Sequence, residues 1–468
     1  MYSESKSVEA GREPESNVFQ YICTICVSFA VAGGGTFVVW TSSAFVYYES
    51  SESEISVTKF QASWIYSIFF LGVIAGCLVV PFMIDRLGRK KLYLLFSLFQ
   101  VIGWILIIFA RDYIIICLGR VCHGLAECAL FDFISVYIAE IAEKRIRGKL
   151  GTMLKVAAFT GIFYAGCLGA FVSYQTMNLM CLLMPLMFLS TFPFMPESPY
   201  FCLMEGRDEE AGKILMKLRG VKNIQSVDFY IQSMKIAIVE SKERGNSFFD
   251  MFASKSNWKC LLILFLAKGT KMLSGNSAMA GYTQNILSAS GFELDPKFCA
   301  VIIYGFLLLA SVIAVTFIDK VNRRTLFLST GIICTGALTI IGFYFYLKDE
   351  TTVNVSSFSW ITMSGIILYY FSYCSGIGPI SYIIAGELFP INVKGFAVNL
   401  GIIMENLCGF IIGIGFNAVN ILVGHDGTFA IFALFCILGS IGIFFTMPET
   451  RGRSLEEIQT ELERNGKK

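Results

Sequence analysis

Long apolar runs dominate the pattern of hydrophobic and polar positions along this chain. Five runs of about 20 residues contain no charged side chain, at 65–84, 92–110, 298–318, 325–347 and 429–447. An α-helix of about 20 residues crosses the roughly 30 Å of hydrocarbon in a bilayer. A sixth run, 156–195, is about twice as long and predicts two spans joined by a polar bend at 173–178. The pattern therefore predicts a polytopic α-helical membrane protein.

Twelve spans are predicted in this way, in two groups of six. They lie at 18–40, 61–84, 92–110, 114–141, 152–172, 177–195, 259–288, 297–318, 325–347, 358–386, 395–422 and 428–447. The predicted organisation is a cytoplasmic N-terminal tail (1–17), an N-terminal six-helix bundle (18–195), a cytoplasmic linker with short helices (196–257), a C-terminal six-helix bundle (258–447) and a cytoplasmic C-terminal tail (448–468). The predicted fold class is an all-α membrane bundle of two pseudo-symmetric halves.

Composition narrows the classes of function. The chain is 55% hydrophobic and 15% charged, which is less charge than a soluble domain carries. Its net charge of +2 gives no reason to expect a nucleic-acid partner. The two histidines do not predict a metal site, and the 15 cysteines are scattered through apolar segments, where a free thiol packs as a small hydrophobe. Because the sequence shows no nucleophile–base or metal constellation, we predict neither an enzyme nor a cofactor.

Charged loops indicate the orientation of the spans. Basic segments at 85–91, 143–149 and 319–324 fall on the same side as the linker and both termini, and short basic loops face the cytoplasm. The other side carries the acidic segment 47–54 and the sequon that begins at Asn354, our candidate for glycosylation. The polar start of the chain predicts no cleavable signal peptide. We expect a multi-pass protein of the cell membrane with both termini in the cytoplasm.

The two groups of spans repeat one another. Three features of the first half recur in order about half a chain later, in the pairs Asp85 and Asp319, Glu140 and Glu387, and Pro196 and Pro448. Internal repeats of this kind are typical of transporters that expose a site at the bilayer midplane to each side in turn. The repeat therefore predicts alternating access.

The repeated loop residues are suited to clamping the ends of helices. A carboxylate is favourable at a helix N-terminus, and an arginine can bind carboxylates of neighbouring helices. The candidate gating residues are Asp85, Arg89, Glu140, Arg147, Asp319, Arg323, Arg324, Glu387 and Lys394. We expect them to close the inner face in one state and to separate in the other. The alternative is that they act only as positive-inside topology signals.

The motifs, taken in order, resemble those of the sugar porters of the major facilitator superfamily over essentially the whole chain. They are DRLGRKK (85–91), GRVCHG with VYIAEIAEKRIRGKLG (119–151), PESPYF (196–201), LSG (273–275), DKVNRR (319–324), GPISYIIAGELFP (378–390) and PETRGRSLEEI (448–458). The short first outer loop, the segment beginning at Trp40 and PESPYF look most like insect facilitated trehalose/glucose transporter-like proteins. The resemblance implies the major facilitator fold and a carrier of monosaccharides or disaccharides that works by rocking two bundles.

The departures from the family concentrate where the resemblance places the sugar. KMLSGNS in the seventh span aligns with QQLSGIN, so that Lys271 and Met272 replace glutamines and Ser277 replaces an asparagine. The other replaced positions are Lys155, Leu307, Cys374, Tyr382 and Glu405 in spans, and Pro81, Ser135 and Asn322 near loops. A pyranose needs amides and an aromatic platform, and here charges replace amides. The candidate solute-binding residues are Lys155, Lys271, Ser274, Asn276, Ser277, Tyr282, Tyr382, Glu405 and Asn406.

Ionisable residues inside the spans mark functional positions, because a charge at the bilayer centre costs about 2.5–3.5 kcal/mol. They are Arg120, Glu127, Asp132, Lys155, Lys268, Lys271 and Glu405. We expect Lys271 and Glu405 to face one cavity, and Lys155 to meet Asp132 or Glu127. Three interpretations stay open: structural ion pairs, a site for a charged or zwitterionic solute or for protons, and a wet cavity whose solute is still a sugar.

The leading hypothesis is a monomeric facilitative carrier of a hexose or trehalose, with a small solute and the lipid bilayer as its partners. One alternative is a carrier of the same fold for a non-sugar or charged solute, which uptake driven by voltage or pH would indicate. A second is a non-transporting paralogue that acts as a sensor or interaction protein. A protein that reached the membrane and moved no solute would favour that second alternative.

Overall fold

The computed structural model describes residues 16–143, 145–221, 223, 227–243, 250–317, 320–451, 453 and 457–458. Within these residues the regular secondary structure is entirely helical. The helices of the first half are α1 (Val18–Glu49), α2 (Lys59–Leu87), α3 (Arg89–Ile108), α4 (Tyr113–Glu127), a π-helical turn (Cys128–Asp132), α5 (Ile134–Ile141), α6 (Arg147–Phe171) and α7 (Tyr174–Thr191). The gating candidate Asp319 lies outside the described residues.

The linker and the second half continue the helical series. The linker contains α8 (Pro199–Met204), α9 (Asp208–Arg219), α10 (Asp228–Glu243) and α11 (Asp250–Ala253). The second half contains α12 (Lys255–Leu273), α13 (Asn276–Gly281), α14 (Thr283–Ser290), α15 (Pro296–Phe317), α16 (Arg323–Glu350), α17 (Trp360–Ser375), α18 (Ile377–Leu388) and α19 (Ile391–Thr446). Two short 3₁₀ turns, Phe192–Phe194 and Ser356–Phe358, accompany them.

The helices agree with twelve spans once two local features are counted. Ten helices of the described part are long and apolar enough to cross a membrane. The eleventh and twelfth spans run together as α19, which is interrupted at Gly424, where φ is 72° and ψ is 177°. The seventh span is divided into α12, α13 and α14. The all-α, twelve-helix architecture predicted from the sequence is confirmed.

The first span is longer than the sequence pattern predicted. We expected it to end at residue 40, and α1 continues to Glu49 because residues 44–48 are apolar or aromatic and contain no helix breaker. The acidic segment thus begins inside the helix. The second span then starts at a capping box, in which the Thr58 side chain accepts from the Gln61 N–H and the Gln61 side chain accepts from the Thr58 N–H.

Large apolar side chains on the outside of the bundle mark the surface that faces lipid. Phe82 is 73% exposed and Leu422 is 81% exposed. Soluble monomers rarely expose wide apolar surfaces, whereas a bilayer solvates them. The bundle therefore has the surface of a membrane-embedded protein.

Two helix pairs supply most of the packing between the halves: α2 packs on the eleventh span within α19, and α6 packs on α15. Inside the first half, α1 and α6 approach closely through small residues. A Cβ atom at Gly161 would overlap the carbonyl oxygen of Ala32, so only glycine permits this approach. Each half is thus a packed unit with a defined contact to the other.

The acids of the repeated PES and PET segments cap equivalent helices in the two halves. The Glu197 Oε1 atom accepts from the Arg89 N–H at 3.0 Å, at the start of α3. The Glu449 Oε1 atom accepts from the Arg323 N–H at 3.0 Å, at the start of α16. Free N–H groups at a helix N-terminus favour a carboxylate. This shared capping gives the sequence repeat a structural reason. We call the side of the bundle that carries these caps the loop-motif face, and the other side the opposite face.

Candidate functional site

A break in the seventh span organises the centre of the bundle. Gly275 has a φ of 82° and separates α12 from α13. Glycine adopts this left-handed conformation readily, and a Cβ atom at this position would overlap the ring of Phe432. Backbone breaks at membrane depth occur where the chain is buried in protein or lines a cavity. The end of α12, which carries two lysines, is thereby fixed at the break.

Two lysines of α12 share a single carboxylate from the eleventh span. The Lys268 Nζ atom lies 2.5 Å from Glu405 Oε2, and Lys271 Nζ contacts Glu405 Oε1. Lys268 is 2% exposed, while Lys271 and Glu405 are each 4% exposed. Because the two lysines are three residues apart, they lie on one face of the helix and reach the same acid. The seventh and eleventh spans are therefore joined by buried charge.

Tyr382 covers this group from the tenth span. The Nζ atoms of Lys268 and Lys271 both lie 3.9 Å from the centre of its ring, an arrangement in which each ammonium is attracted to the ring face. The Tyr382 hydroxyl donates to Glu405 Oε1 at 3.4 Å. The Tyr382 residue is 43% exposed although its neighbours are buried, so protein atoms leave part of its surface uncovered. We call Lys268, Lys271, Tyr382 and Glu405 the charge cluster.

An acid of the other half faces the charge cluster. Asp132 ends the π-helical turn Cys128–Asp132 in the fourth span and interacts electrostatically with both lysines and Glu405 of the cluster. π-helical turns within longer helices are rare and often occur at functional positions. When all four groups are ionised, the two positive charges of the lysines balance the two negative charges of Glu405 and Asp132. One of these two negative charges comes from the first half, across the interface between the halves. The electrostatics of the cluster therefore depends on how the two halves are placed.

Two further charges of the fourth span are held within the first half. The guanidinium of Arg120 donates to the carbonyl oxygens of Phe37, at 3.0 Å, and Ile65, at 3.3 Å. Glu127 lies against Gly34, where an added Cβ atom would overlap its Oε2 atom. Arg120 thus fastens the first and second spans to the fourth, which is a structural role.

The other predicted binding residues occupy separate environments. The Ser274 hydroxyl lies 2.8 Å from the Tyr369 hydroxyl, one turn from the charge cluster. The Asn406 amide donates to the Ile402 carbonyl of its own helix at 2.8 Å. Asn276 begins α13 and is half-buried, and the Lys155 side chain on the fifth span is exposed. Of the predicted set, Lys271, Tyr382 and Glu405 are brought into direct contact.

Tyr282 belongs to a second layer nearer the opposite face. Its ring packs on Phe45 at 5.2 Å, on Tyr66 at 5.4 Å and on Phe416 at 4.6 Å. The Tyr66 hydroxyl donates to the Ser277 carbonyl at 2.5 Å, so Ser277 also belongs to this layer. We call Phe45, Tyr66, Tyr282 and Phe416 the aromatic plug. It joins the two halves above the charge cluster.

Hydrogen bonds close the halves on the opposite face. The Gln284 N–H donates to Ser42 Oγ at 3.1 Å, and the Gln284 side-chain amide donates to Ser43 Oγ at 2.9 Å. The Asn417 amide donates to Ser63 Oγ at 2.9 Å. Each bond joins a residue of the first half to one of the second. In this conformation the path from the cluster to the opposite face is therefore sealed.

The gating candidates on the loop-motif face pair within their own halves. Arg89 lies 2.8 Å from Glu140 and 3.2 Å from Asp85 in the first half. In the second half, Arg323 lies 3.7 Å from Glu387. These contacts join helix ends inside each bundle.

The remaining gating candidates contact backbone or carry caps. Arg147 donates to the Ala142 carbonyl at 3.5 Å. Arg324 donates to the Phe444 carbonyl, and its N–H donates to Glu449 at 3.3 Å. Lys394 lies near Gly386.

Sequence reasoning placed Lys268 among the intramembrane charges and left it out of the binding site. Its spacing of three residues from Lys271 was the signal that the two share a carboxylate. The π-helical turn that carries Asp132 gave no signal, because its sequence, CALFD, has no residue that distinguishes it from an α-helical turn.

A helical bundle of two repeated halves, with a broken span and ionisable groups at its centre, defines a membrane transporter. The chain belongs to the family described as "Sugar (and other) transporter", whose profile matches residues 18–462. It is a multi-span membrane transporter of the sugar-porter type and not an enzyme.

Curated relatives support this assignment over almost the whole chain. The facilitated trehalose transporter Tret1 of Polypedilum vanderplanki is 28% identical over 460 residues, covering 96% of this chain and 90% of the relative. The facilitated trehalose transporter Tret1 of Bombyx mori is 28% identical over 408 residues, covering 87% of this chain and 80% of the relative. The resemblance to insect transporters predicted from the motifs is confirmed.

Solved structures show the same fold. The xylose transporter XylE of E. coli in a partially occluded inward-open conformation aligns with a TM-score of 0.78 at 15% identity, covering 94% of this chain and 100% of XylE. Its inward-open conformation aligns with a TM-score of 0.77 at 18% identity, over 94% of this chain and 99% of XylE. These likenesses show the major facilitator fold.

Proposed function

We propose that this protein moves a hexose or trehalose across the cell membrane by facilitated alternating access. The relatives named above are called facilitated trehalose transporters, which supports a sugar as the solute. The observation that carries the mechanism is the closure of the opposite face by the aromatic plug and by the bonds of Gln284, directly above the charge cluster. A solute at the cluster can leave toward the loop-motif face while this closure holds.

The two bundles, 18–195 and 258–447, act as the moving units in this proposal. On the opposite face the bundles are held together by individual hydrogen bonds and by aromatic packing, and both kinds of contact can separate and reform. The clamps of Arg89 and Arg323 keep the helix ends of each bundle together while the bundles tilt. Transport then needs no chemistry beyond this change in contacts.

The orientation follows the distribution of charge in the loops. We propose that the loop-motif face and both termini lie in the cytoplasm. The exposed Asn354 then lies outside and can carry a glycan. The protein works as a monomer in the lipid bilayer, because the path between its two six-helix bundles needs no second copy.

Uptake of labelled glucose and trehalose into proteoliposomes tests the function. We expect saturable, non-concentrative uptake of at least one of the two sugars. The double variant Ser42→Cys with Gln284→Cys places a disulfide across the closed face, where the wild-type Ser42 Oγ and Gln284 N atoms are 3.1 Å apart. Oxidation should stop uptake, and reduction should restore it.

The controls are the two single-cysteine variants, which should keep uptake under the same oxidant. If the oxidised double variant transported sugar at the wild-type rate, that result would contradict alternating access through this face. The absence of saturable sugar uptake in the wild-type protein would contradict the sugar as solute.

The charge cluster favours a second candidate function, transport of an acidic solute. Within the second half, Lys268 and Lys271 share the single carboxylate of Glu405. The second half therefore contributes one more positive than negative charge to the cluster. Asp132 of the first half supplies the second acid in this conformation, and a solute carboxylate would take that role when the halves move apart. Uptake of glucuronate that exceeds uptake of glucose and responds to membrane potential would favour this candidate.

A further inference from the structure

We propose that the cavity on the opposite face is a second carbohydrate site, which holds a neutral sugar of one or two pyranose rings before it enters the centre. We call this cavity the vestibule. The proposal rests on the sugar-transport function proposed above and adds a binding site that lies outside the charge cluster. It is carried by the size of the cavity, its aromatic wall and its unpaired polar atoms.

The vestibule is a large space with a closed floor. Its volume is about 1020 Å³, at the upper end of the range of ligand sites. Phe45, Tyr282 and Phe416 of the aromatic plug line it, so the plug forms its floor and separates it from the charge cluster. A sugar in this space would lie directly above the contacts that must open for transport.

One wall of the vestibule is aromatic. The rings of Tyr47 and Tyr174 stack at 4.2 Å between centres with an angle of 4° between their planes. The Tyr48 hydroxyl lies 2.6 Å from the Tyr174 hydroxyl and helps to fix this pair. Tyrosine combines an apolar ring face with a polar hydroxyl, which matches the apolar and hydroxylated faces of a pyranose.

The opposite wall supplies neutral hydrogen-bonding groups. Asn285, Asn417 and Asn420 line the vestibule, and amides can both donate to and accept from sugar hydroxyls. Two buried atoms of the lining, Asn285 Oδ1 and His425 Nδ1, lack a hydrogen-bond partner. A buried polar atom without a partner costs about 1–3 kcal/mol, so a hydroxyl that binds either atom is favoured.

The charges of the lining argue for a neutral ligand. Its ionisable residues other than the histidine are Glu49, Glu52, Asp295, Lys59 and Lys297, which carry a net charge of −1 when ionised. Lys297 is already paired with Asp295 at 3.2 Å. An acidic sugar would be repelled by this balance, whereas the charge cluster below presents ammonium groups. The groups that suit a neutral pyranose are thus gathered in the vestibule.

Binding of labelled trehalose and glucose to the full-length protein in lipid nanodiscs tests the proposal. The test variants are Tyr47→Leu, which removes half of the stacked pair, and Asn285→Ala, which removes one unpaired acceptor. The matched control is Tyr346→Leu, because Tyr346 is 47% exposed near the same end of its span and does not line the vestibule. We expect each test variant to raise the half-saturating trehalose concentration about fivefold, because it removes the affinity contributed by one hydrogen bond or one ring contact. The control should keep its half-saturating concentration within about twofold of the wild-type value.

Uptake measurements on the same variants separate loading from transport. The half-saturating concentration for uptake should rise as binding weakens, while the maximal rate stays close to that of the wild type, because the charge cluster and the plug are unchanged. Glucuronate should not displace trehalose from the vestibule.

Unchanged binding in both test variants would overturn the vestibule site, as would wild-type protein that binds neither sugar. A wild-type protein that binds trehalose, loses it in Tyr47→Leu, and moves no sugar would contradict the proposed transport function and keep the site. If Tyr47→Leu does not fold, as judged by its elution and thermal unfolding, the pair Asn285→Ala and Asn420→Ala decides the question.

Discussion

Replacing Glu405 with glutamine should destabilise the protein more than replacing either lysine of the charge cluster. The change removes the carboxylate that Lys268 and Lys271 both contact and leaves two ammonium groups buried side by side. Replacing Lys271 with glutamine instead leaves the direct Lys268–Glu405 contact in place, and only the longer-range balance with Asp132 of the other half is reduced. The asymmetry follows from two cations sharing one acid.

The magnitudes follow from burial. Removing one partner of a buried ion pair costs about 3–5 kcal/mol, because it leaves an uncompensated charge. We expect a cost in this range for Glu405→Gln. For Lys271→Gln we expect about 1–3 kcal/mol, the loss of one charged hydrogen bond. The double variant should cost less than the sum of the two by about 0.5–3 kcal/mol, since the contacting residues are coupled.

The free energy of unfolding, measured by detergent titration in mixed micelles, gives these values directly. The matched control is Lys297→Gln, which breaks an exposed pair whose side chains are 41% and 46% accessible. An exposed pair contributes about 0–1 kcal/mol, so this control should change little. Folded yield from the membrane fraction provides a second measure of the same ranking.

Two results would refute the reasoning. Additivity of Glu405→Gln and Lys271→Gln, within about 0.5 kcal/mol, would show that the residues do not interact. A cost for Glu405→Gln no larger than that for Lys297→Gln would show that the cluster is not buried as described.

Three further predictions concern the Arg89–Glu140 ion pair, the helix break at Gly275 and Cys202 in the linker. Arg89→Ala should cost about 3–5 kcal/mol of unfolding free energy, because it leaves the Glu140 carboxylate largely buried without its cation. Gly275→Ala should lower the thermal unfolding temperature and the uptake rate, because a left-handed alanine costs about 1–2 kcal/mol and its Cβ would meet Phe432. Burial raises the pKa of the Cys202 thiol to about 11, so the thiol stays protonated at pH 8 and should react slowly with a maleimide.

Each of these predictions has a matched control. Arg207→Ala breaks an exposed pair with Glu210 and should cost less than about 1 kcal/mol. Gly336→Ala adds a Cβ atom into open space within a helix and should not destabilise the protein. Glu209→Cys places a thiol at an exposed position of α9, where it should react quickly at pH 8. Equal effects of a variant and its control would contradict the corresponding prediction.

The repeat in the loops illustrates how far sequence periodicity reaches. The pattern predicted that Glu140 binds an arginine of a neighbouring helix end, with Arg89 and Arg147 both among the candidates. In the structure Glu140 contacts Arg89, whereas Arg147 donates to the Ala142 carbonyl, and the repeated acids Glu197 and Glu449 cap helices. A repeat shows that a unit is duplicated, whereas the partner of each residue depends on which helix ends meet in space.

The sequence alone determined the class, the twelve spans and the family. Each of these rests on local information, namely the length of apolar runs, the charge of loops and the order of motifs. It also identified Lys271 and Glu405 as charges that face one cavity, because alignment with the family placed both at positions that bind solute.

The tertiary structure decided which of these residues meet. Lys268 and Lys271 lie on α12, Tyr382 on α18 and Glu405 on α19, and they converge because the break at Gly275 and the packing of these spans bring their side chains together. The vestibule is likewise built from residues of both halves that are far apart in the chain. Contacts of this kind depend on helix rotation and on the approach of the halves, which the spacing of residues along one span does not specify.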